Sequence, residues 1–579
     1  MSRRLWDLVV VQWCLLLALV VALPWRGSGF LLSYDMVTPP RWTLGRDDLW
    51  GLGSAVPRAV PSDGVLALVS QAVDPALLQR LVIVGALALG GVGAARLVDD
   101  AGLGARLVAG TYALWNPLVA ERLLLGQWPV LVALACLPWI GVALRDPDRP
   151  RVAALTLALA GTALTAATGV MGLLAALVVG WRSGPIRMVL LAALVNAPWI
   201  VAGLVRPGTV VSDPAGVELF ALQGEGPWGR IGALMALGGV WNAEVVPASR
   251  LTLVATLVVV VLWVLMLTGL RRWWRADRYG VLAWSALAAV GYTLACWGWL
   301  APGLLERLIE WQGATAVLRD GSRYLVFALP FHAVALGYGA ATLGGWLART
   351  SGQERWRAVA AGLLVAAPLA ALPDLGYGVG GRLTPADYPR DWEAARQAVG
   401  AVEAEGDLLV LPFSPYRAPD WNDGRTVLDP AGRFFDRDTV TSDALTVSGV
   451  TLASEDPRAV AVGEALADPA ATSADLAAQG IGVVVLDSSA PGGDPTPAAL
   501  SGARAVETGE DGLRVFVVDG VATLEPPPVK NRVLVWAAWG VAGLTVAVSA
   551  LSIGRRGLAR LIRLLGSLSP FRGRRGKRP

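Results

Sequence analysis

Apolar stretches recur along almost the whole chain, separated by short polar loops, and one long region near the C-terminus breaks the rhythm. About twelve of them read as membrane-spanning helices: 8–23, 77–95, 107–119, 129–144, 152–167, 170–181, 188–205, 251–270, 280–300, 324–347, 358–372 and 533–551. Several fall short of the ~20 residues that a perpendicular span needs, so their ends are soft. Between 152 and 181 the run is interrupted by Ala166-Ala167-Thr168-Gly169, and arginine flanks both ends. One continuous helix would put those flanks on opposite sides of a bilayer, so the pattern favours two short helices joined by a tight turn.

Arginine alternates with the spans. Every second loop carries it: Arg96 and Arg106; Arg145, Arg149 and Arg151; Arg182 and Arg187; Arg271, Arg272, Arg275 and Arg278; Arg349, Arg355 and Arg357; and the tail from Arg555 to Arg578. Because basic residues are retained on the cytoplasmic side, this alternation predicts a multi-pass plasma-membrane protein with both termini in the cytoplasm. The first span follows Arg3 and Arg4 but leads into Leu23-Pro24-Trp25-Arg26, which lacks a small-x-small cleavage site, so it reads as an uncleaved anchor. In the tail, Leu558, Leu561, Ile562, Leu565 and Leu568 recur at helical spacing among arginines, the pattern of an interfacial helix or a solvated topogenic tail.

Composition agrees with this organisation: 55% of residues are hydrophobic, 16% are charged, and the mean hydropathy is +0.54. Soluble chains carry about a quarter charged residues. Cys14, Cys136 and Cys296 all fall within spans, where they read as small apolar fillers and not as a disulfide framework. His332, the only histidine, sits inside the tenth span and reads as a hydrogen-bonded core residue. The spans hold few ionisable groups along any mid-membrane path, which disfavours a transporter.

Residues 374–530 contain no credible span, and acidic residues there outnumber basic ones by more than two to one. Short β-rich segments at 407–413, 481–487 and 513–519 alternate with helical patterns at 391–403, 457–467 and 473–480. This alternation predicts a soluble α/β domain with partly parallel pairing, and loop parity places it outside the cytoplasm. The chain thus divides into a membrane core over 1–373, the soluble domain over 374–530, and a last span with its basic tail over 531–579.

Polar chemistry also gathers in the long first loop, 24–76, which parity places on the same outer side. There Asp35 follows Gly29-Phe30-Leu31-Leu32 and precedes Pro39-Pro40-Arg41, a setting that would hold a carboxylate at a water–lipid boundary. Asp47-Asp48 comes later in the same loop. Other outward loops contribute Asn116, Glu121 and Arg122, then Glu244, then Arg319 and Arg323. Guanidiniums in such a place suit bidentate grip on a phosphate. Asp436-Arg437-Asp438 matches the Asp-x-Asp of nucleotide-sugar enzymes, but it lies on the side where such donors are scarce and reads as chance.

The Asp-bearing first loop, the multispan core, the Asn-Pro-x-Val-x-Glu-Arg-Leu-x-x-Gly-Gln stretch at 116–127 and the outer α/β domain together resemble the GT-C superfamily of membrane glycosyltransferases. Within it they look most like actinobacterial membrane proteins related to arabinofuranosyl- and mannosyltransferases. The resemblance implies a GT-C-like polytopic α-helical fold. It also implies sugar transfer from a polyprenyl-phosphate donor to a cell-envelope glycan or glycolipid acceptor, in contact with membrane lipid and without nucleic acid. Carried over, the base is Asp35, with Asp47 and Asp48 as alternates. Arg122, Arg319 and Arg323 would hold the donor phosphate, with Arg41, Asn116, Glu121 and Glu244 in support. No acidic neighbour stands beside Asp35, which leaves the base's identity and a divalent cation open, with no metal ligands assigned. Structural alternatives stand beside these roles: Asp35 as a cap or a partner of Arg41, Glu121-Arg122 as an ion pair at a helix end, and Arg319 and Arg323 as interface anchors. The rival function is a non-catalytic, membrane-anchored binding or assembly protein of the envelope.

Overall fold

The computed structural model describes every residue except 1, 207–211, 448, 489, 491–496, 509–511 and 569–579, with no side chains described beyond 556. Among the described residues, seven helices are long and apolar enough to cross a membrane: Arg3–Val21, Pro75–Leu97, Pro185–Val205, Leu253–Ala276, Arg278–Leu300, Gly321–Ser351 and Val529–Arg556. An eighth candidate, Arg355–Ala371 continued by Pro373–Gly380, bends by 73° at its break. Trp128–Leu144, Val152–Thr162 and Ala166–Val179 are apolar but shorter. The stretch expected to span at 107–119 instead divides into Leu103–Leu114 and the short helix Pro117–Leu124. Pro117 has no N–H to continue the first helix, and the Asn116 side chain accepts the Val119 N–H at 3.1 Å to start the second.

The run from 152 to 181 folds as two helices, Val152–Thr162 and Ala166–Val179. Thr165 and Thr168 form a reciprocal capping box between them. The last helix runs on to Leu568, while the end of the basic tail, 572–578, lies outside the described residues. His332 is fully buried between the Tyr112 hydroxyl at 3.1 Å and the Tyr292 hydroxyl at 2.6 Å, as a satisfied core histidine would be.

Residues 407–517 build a five-stranded sheet in the spatial order Arg504–Val506, Leu513–Val517, Ile481–Asp487, Asp407–Leu411, Thr439–Val440. Asp407–Leu411 runs parallel to both of its neighbours, and the remaining pairs are antiparallel. Alternate residues point to opposite faces. Leu409, Leu411, Val484 and Leu486 therefore pack toward the helices Pro457–Ala467 and Ser473–Ala478. Leu408, Val410, Val483 and Val485 pack toward Arg390–Ala401 and Ala431–Phe434. Covering on both faces explains the continuous apolar run Ile481–Leu486, every residue of which is buried.

The first loop is woven into this C-terminal region. Phe30–Leu31 pairs antiparallel with Pro385–Ala386, and Tyr34 forms a bridge with Val427. Further along, Arg433 binds Asp63 at 2.6 Å, Arg58 binds Glu455 at 2.6 Å, and Ser54 donates to Asp456 at 3.0 Å.

Candidate functional site

Asp35 stands at the tip of a tight turn closed by the Met36 N–H on the Ser33 carbonyl at 2.9 Å. Tyr34, within that turn, takes a φ of 43°, a left-handed conformation that L side chains adopt only when neighbours enforce it. The neighbours here are backbone. The Tyr34 N–H donates to the Thr426 carbonyl and the Leu428 N–H to the Tyr34 carbonyl, both at 2.8 Å, while the Asp35 N–H donates to the Leu125 carbonyl at 3.2 Å. The loop after Pro117–Leu124 lies against the turn: a Cβ on Gly126 would fall 2.2 Å from the Ser33 carbonyl oxygen and 2.3 Å from the Met36 nitrogen. Glycine at 126 is thus what lets the loop after Pro117–Leu124 and the turn meet.

The Asp35 carboxylate is half-buried. The Tyr416 hydroxyl donates to its Oδ1 at 2.8 Å, and Gln127 Nε2 approaches Oδ2 at 3.4 Å. Burial and the adjacent Asp35 charge both push Tyr416 well above the ordinary tyrosine range, so it stays a donor. Gln127 also accepts from Arg122 Nη1 at 2.7 Å, which links Asp35 to a buried charge cluster. Arg122 is fully buried and bound to Asp320 at 2.9 Å; Ser322 bridges the two, and Arg323 binds Asp320 at 3.2 Å. Burial alone would raise Asp320, yet Arg122 and Arg323 hold its carboxyl well below the usual range.

The site residues read from the sequence therefore divide. Asp35, Arg122 and Arg323 come together, with Arg323 in electrostatic range of Asp35. Arg122 has no exposed surface and is engaged by Asp320, Gln127 and Ser322, whereas the Arg323 side chain keeps 22% of its surface open. Arg319 turns away to Ser212 at 2.9 Å and Glu455 at 3.5 Å, over the Phe220 ring. Glu244 accepts from the Tyr34 hydroxyl, and Asn116 serves as a helix cap. Arg41 is exposed and has no ion pair with Asp35 among the described residues. Asp47 pairs with Arg532 at 2.7 Å and Asp48 with Arg46, both on the wall of a separate cavity.

Two acidic groups were missed or discounted in the sequence. Glu225 lies in a Gly-rich segment with no periodic signal, but it meets Glu121 in the interior, and Arg250 binds it at 3.2 Å. A Cβ on Gly238 would sit 2.5 Å from Glu225 Oε2 and 2.7 Å from Glu121 Oε1, so the two carboxyls close around bare backbone. Burial, and then the Glu225 charge, push Glu121 far above the usual range, which leaves it a neutral acid. Glu121→Gln, also neutral and of the same shape, is accordingly expected to change stability by less than about 1 kcal/mol in thermal unfolding. A larger loss would mean that Glu121 is ionised.

The Asp436-Arg437-Asp438 stretch clamps the first loop. Asp436 takes Arg396 at 2.7 Å and the Thr43 hydroxyl, while Asp438 accepts the N–H groups of Asp47 and Asp48, each at 3.2 Å. Burial and the nearby Asp48 carboxylate push Asp438 up to about 7. A carboxyl raised on folding costs stability as pH climbs from its unfolded value near 3.8 to about 7, and the cost stays constant above that. Asp438→Asn is expected to remove this component, so that its melting temperature falls less than that of the wild type between the acid and neutral ends of that window.

Comparison of the chain with protein-family models, with curated proteins and with solved structures returned no match.

Proposed function

We propose that this chain is a GT-C-like membrane glycosyltransferase that moves a sugar from a polyprenyl-phosphate donor to a cell-envelope glycan or glycolipid. In this reading all twelve apolar stretches belong to the membrane core. The arginine-rich loops face the cytoplasm, and the first loop and the α/β domain face outward. The observation that carries the reading is the placement of Asp35: a half-buried carboxylate on an enforced turn, beside a buried arginine cluster.

The chemistry needs a base and a cation. Asp35 takes the proton of the acceptor hydroxyl as its oxygen attacks the anomeric carbon, and the bond from that carbon to the lipid phosphate breaks. The Tyr416 hydroxyl holds the carboxylate, and the Asp35 N–H on the Leu125 carbonyl holds the backbone that carries it. Arg323, with part of its side chain open, faces the departing phosphate, and charge building on that group is what a fixed guanidinium stabilises. Arg122 acts at one remove by holding Asp320, which in turn aims Arg323. Among the described residues, no group of three or more His, Cys, Asp or Glu side chains is arranged to hold a divalent cation.

A membrane-anchored, non-catalytic binding protein is the rival reading. It is favoured by the cavity between the first loop and the α/β domain, and it predicts that Asp35→Asn is harmless while lesions in 374–530 are not. Transfer of labelled sugar from polyprenyl-phosphate donors in membranes carrying wild type or Asp35→Asn separates the two. Transfer by wild type and its loss in the variant support the enzyme; equal transfer by both removes Asp35 as the base.

A further inference from the structure

The helix Arg278–Leu300, long and apolar enough to cross a membrane, is followed across a break at Ala301 by a second helix, Pro302–Trp311, which lies outside all twelve apolar stretches. Pro302 starts it at a position where the missing N–H costs nothing. The faces of this short helix differ. Leu305 and Ile309 are buried against Val217. Glu306, Arg307 and Glu310 gather on another face, and Leu304, Leu308 and Trp311 recur at helical spacing on a third. On that third face Leu304 is 61% and Trp311 80% exposed, and Leu300, at the end of the long helix, is 68% exposed. Open apolar residues thus follow one another across the break.

A second patch stands beside the same helix end. Trp228 and Ile231, at the start of Gly229–Ala236, are exposed, and the Arg230 guanidinium lies over the Trp299 ring, 5.5 Å from its centre. Apolar patches rimmed by polar residues mark contacts with protein or membrane, and tryptophan collects where hydrocarbon gives way to headgroups. Continuity with a helix able to cross the bilayer favours lipid. The charged face holds two glutamates and one arginine, so it does not call for anionic lipid. The helix also supports the loop that follows it: Ala316 and Leu318 pack on the Val217, Leu305 and Ile309 cluster, and the Thr315 hydroxyl donates to the Leu308 carbonyl at 3.0 Å. From that loop Arg319 reaches Glu455 of the α/β domain at 3.5 Å, so helix and domain share a side.

We infer that Pro302–Trp311 docks its Leu304 and Trp311 edge on the lipid surface, on the side of the bilayer that holds the α/β domain, as a foot for the loop that carries Asp320 and Arg323. The inference rests on the membrane reading of the long apolar helices and needs no sugar transfer. The test places a nitroxide on single cysteines of the full chain in phosphatidylcholine vesicles, after Cys14, Cys136 and Cys296 are replaced by alanine. Leu304→Cys, Glu310→Cys and Trp311→Cys sample the short helix at exposed positions and leave Leu305 and Ile309 packed. Val264→Cys, exposed midway along Leu253–Ala276, reports embedding itself.

Dissolved oxygen, which concentrates in hydrocarbon, is expected to relax the labels at 304 and 311 more than a water-soluble nickel chelate does, with the order reversed at 310. Stronger relaxation by nickel at 304 and 311, with oxygen stronger at 264, would overturn the inference and leave the embedded helices standing. Shielding of 304 and 311 from both reagents would show that protein covers this edge, and would overturn it equally. Stronger relaxation by nickel at 264 would remove the membrane reading and the inference together.

Discussion

Asp35→Asn is expected to lower sugar transfer by about 10²–10⁴-fold, the range that a positioned general base contributes. The substitution is well suited to isolating chemistry from folding. An asparagine carbonyl still accepts from the Tyr416 hydroxyl, and the backbone contacts that pin the turn are unchanged, from Asp35 to Leu125 and from Tyr34 to Thr426. The melting temperature should therefore stay near that of the wild type while turnover collapses. Asp47 and Asp48 give the contrast. Each lies on the separate cavity's wall and is paired with an arginine, so neutralising either should leave most of the transfer rate. A rate that falls with Asp48→Asn and survives Asp35→Asn would move the base to the second carboxylate pair.

Asp320→Ala is expected to cost about 3–5 kcal/mol of stability, because it removes one partner of a buried ion pair and strands the other. Asp320 is 2% exposed and holds two guanidiniums, of which Arg122 is wholly buried. Neither arginine can shed its charge at accessible pH. Pairs nearer the surface behave otherwise: Arg58, about half exposed, should give up only about 0–1 kcal/mol when its pairing with Glu455 is broken. Thermal or denaturant unfolding in detergent measures both variants side by side. Equal, small losses would show that water reaches the Asp320 cluster.

The long apolar helices were the most legible part of the fold, since a long apolar run is a strong signal for a helix that can span a bilayer. Their number was less so. Only length distinguishes a crossing from a shorter buried helix, and Leu103–Leu114 and Val152–Thr162 lie on that boundary. In the α/β domain the strands Asp407–Leu411, Ile481–Asp487 and Leu513–Val517 fall where β-rich segments end at Gly, Asp or Pro. Thr439–Val440 and Arg504–Val506 are too short to show any alternation.

At the site, Asp35 could be noticed for its setting between an apolar stretch and a Pro-Pro pair. Its hydroxyl partner Tyr416 could not, because a tyrosine in a polar loop carries no local sign of a contact so far along the chain. Arg122 and Arg323 were visible as separate loop arginines. That Asp320 joins them, and that Glu225 faces Glu121, are facts of packing that periodicity does not encode. The Asp436-Arg437-Asp438 stretch looked accidental because its motif pointed to a donor on the wrong side, while its structural task of clamping the first loop has no sequence signature.

In the proposed reaction, the Asp35 turn and the arginine cluster together perform sugar transfer from a lipid-linked donor. Its most direct test is single-turnover transfer by the purified protein in proteoliposomes, supplied with labelled polyprenyl-phosphate sugars and envelope glycan acceptors from the side of the α/β domain. Labelled glycan is expected, together with release of polyprenyl phosphate. Intact donor across the whole panel, with folded wild-type protein, would contradict it.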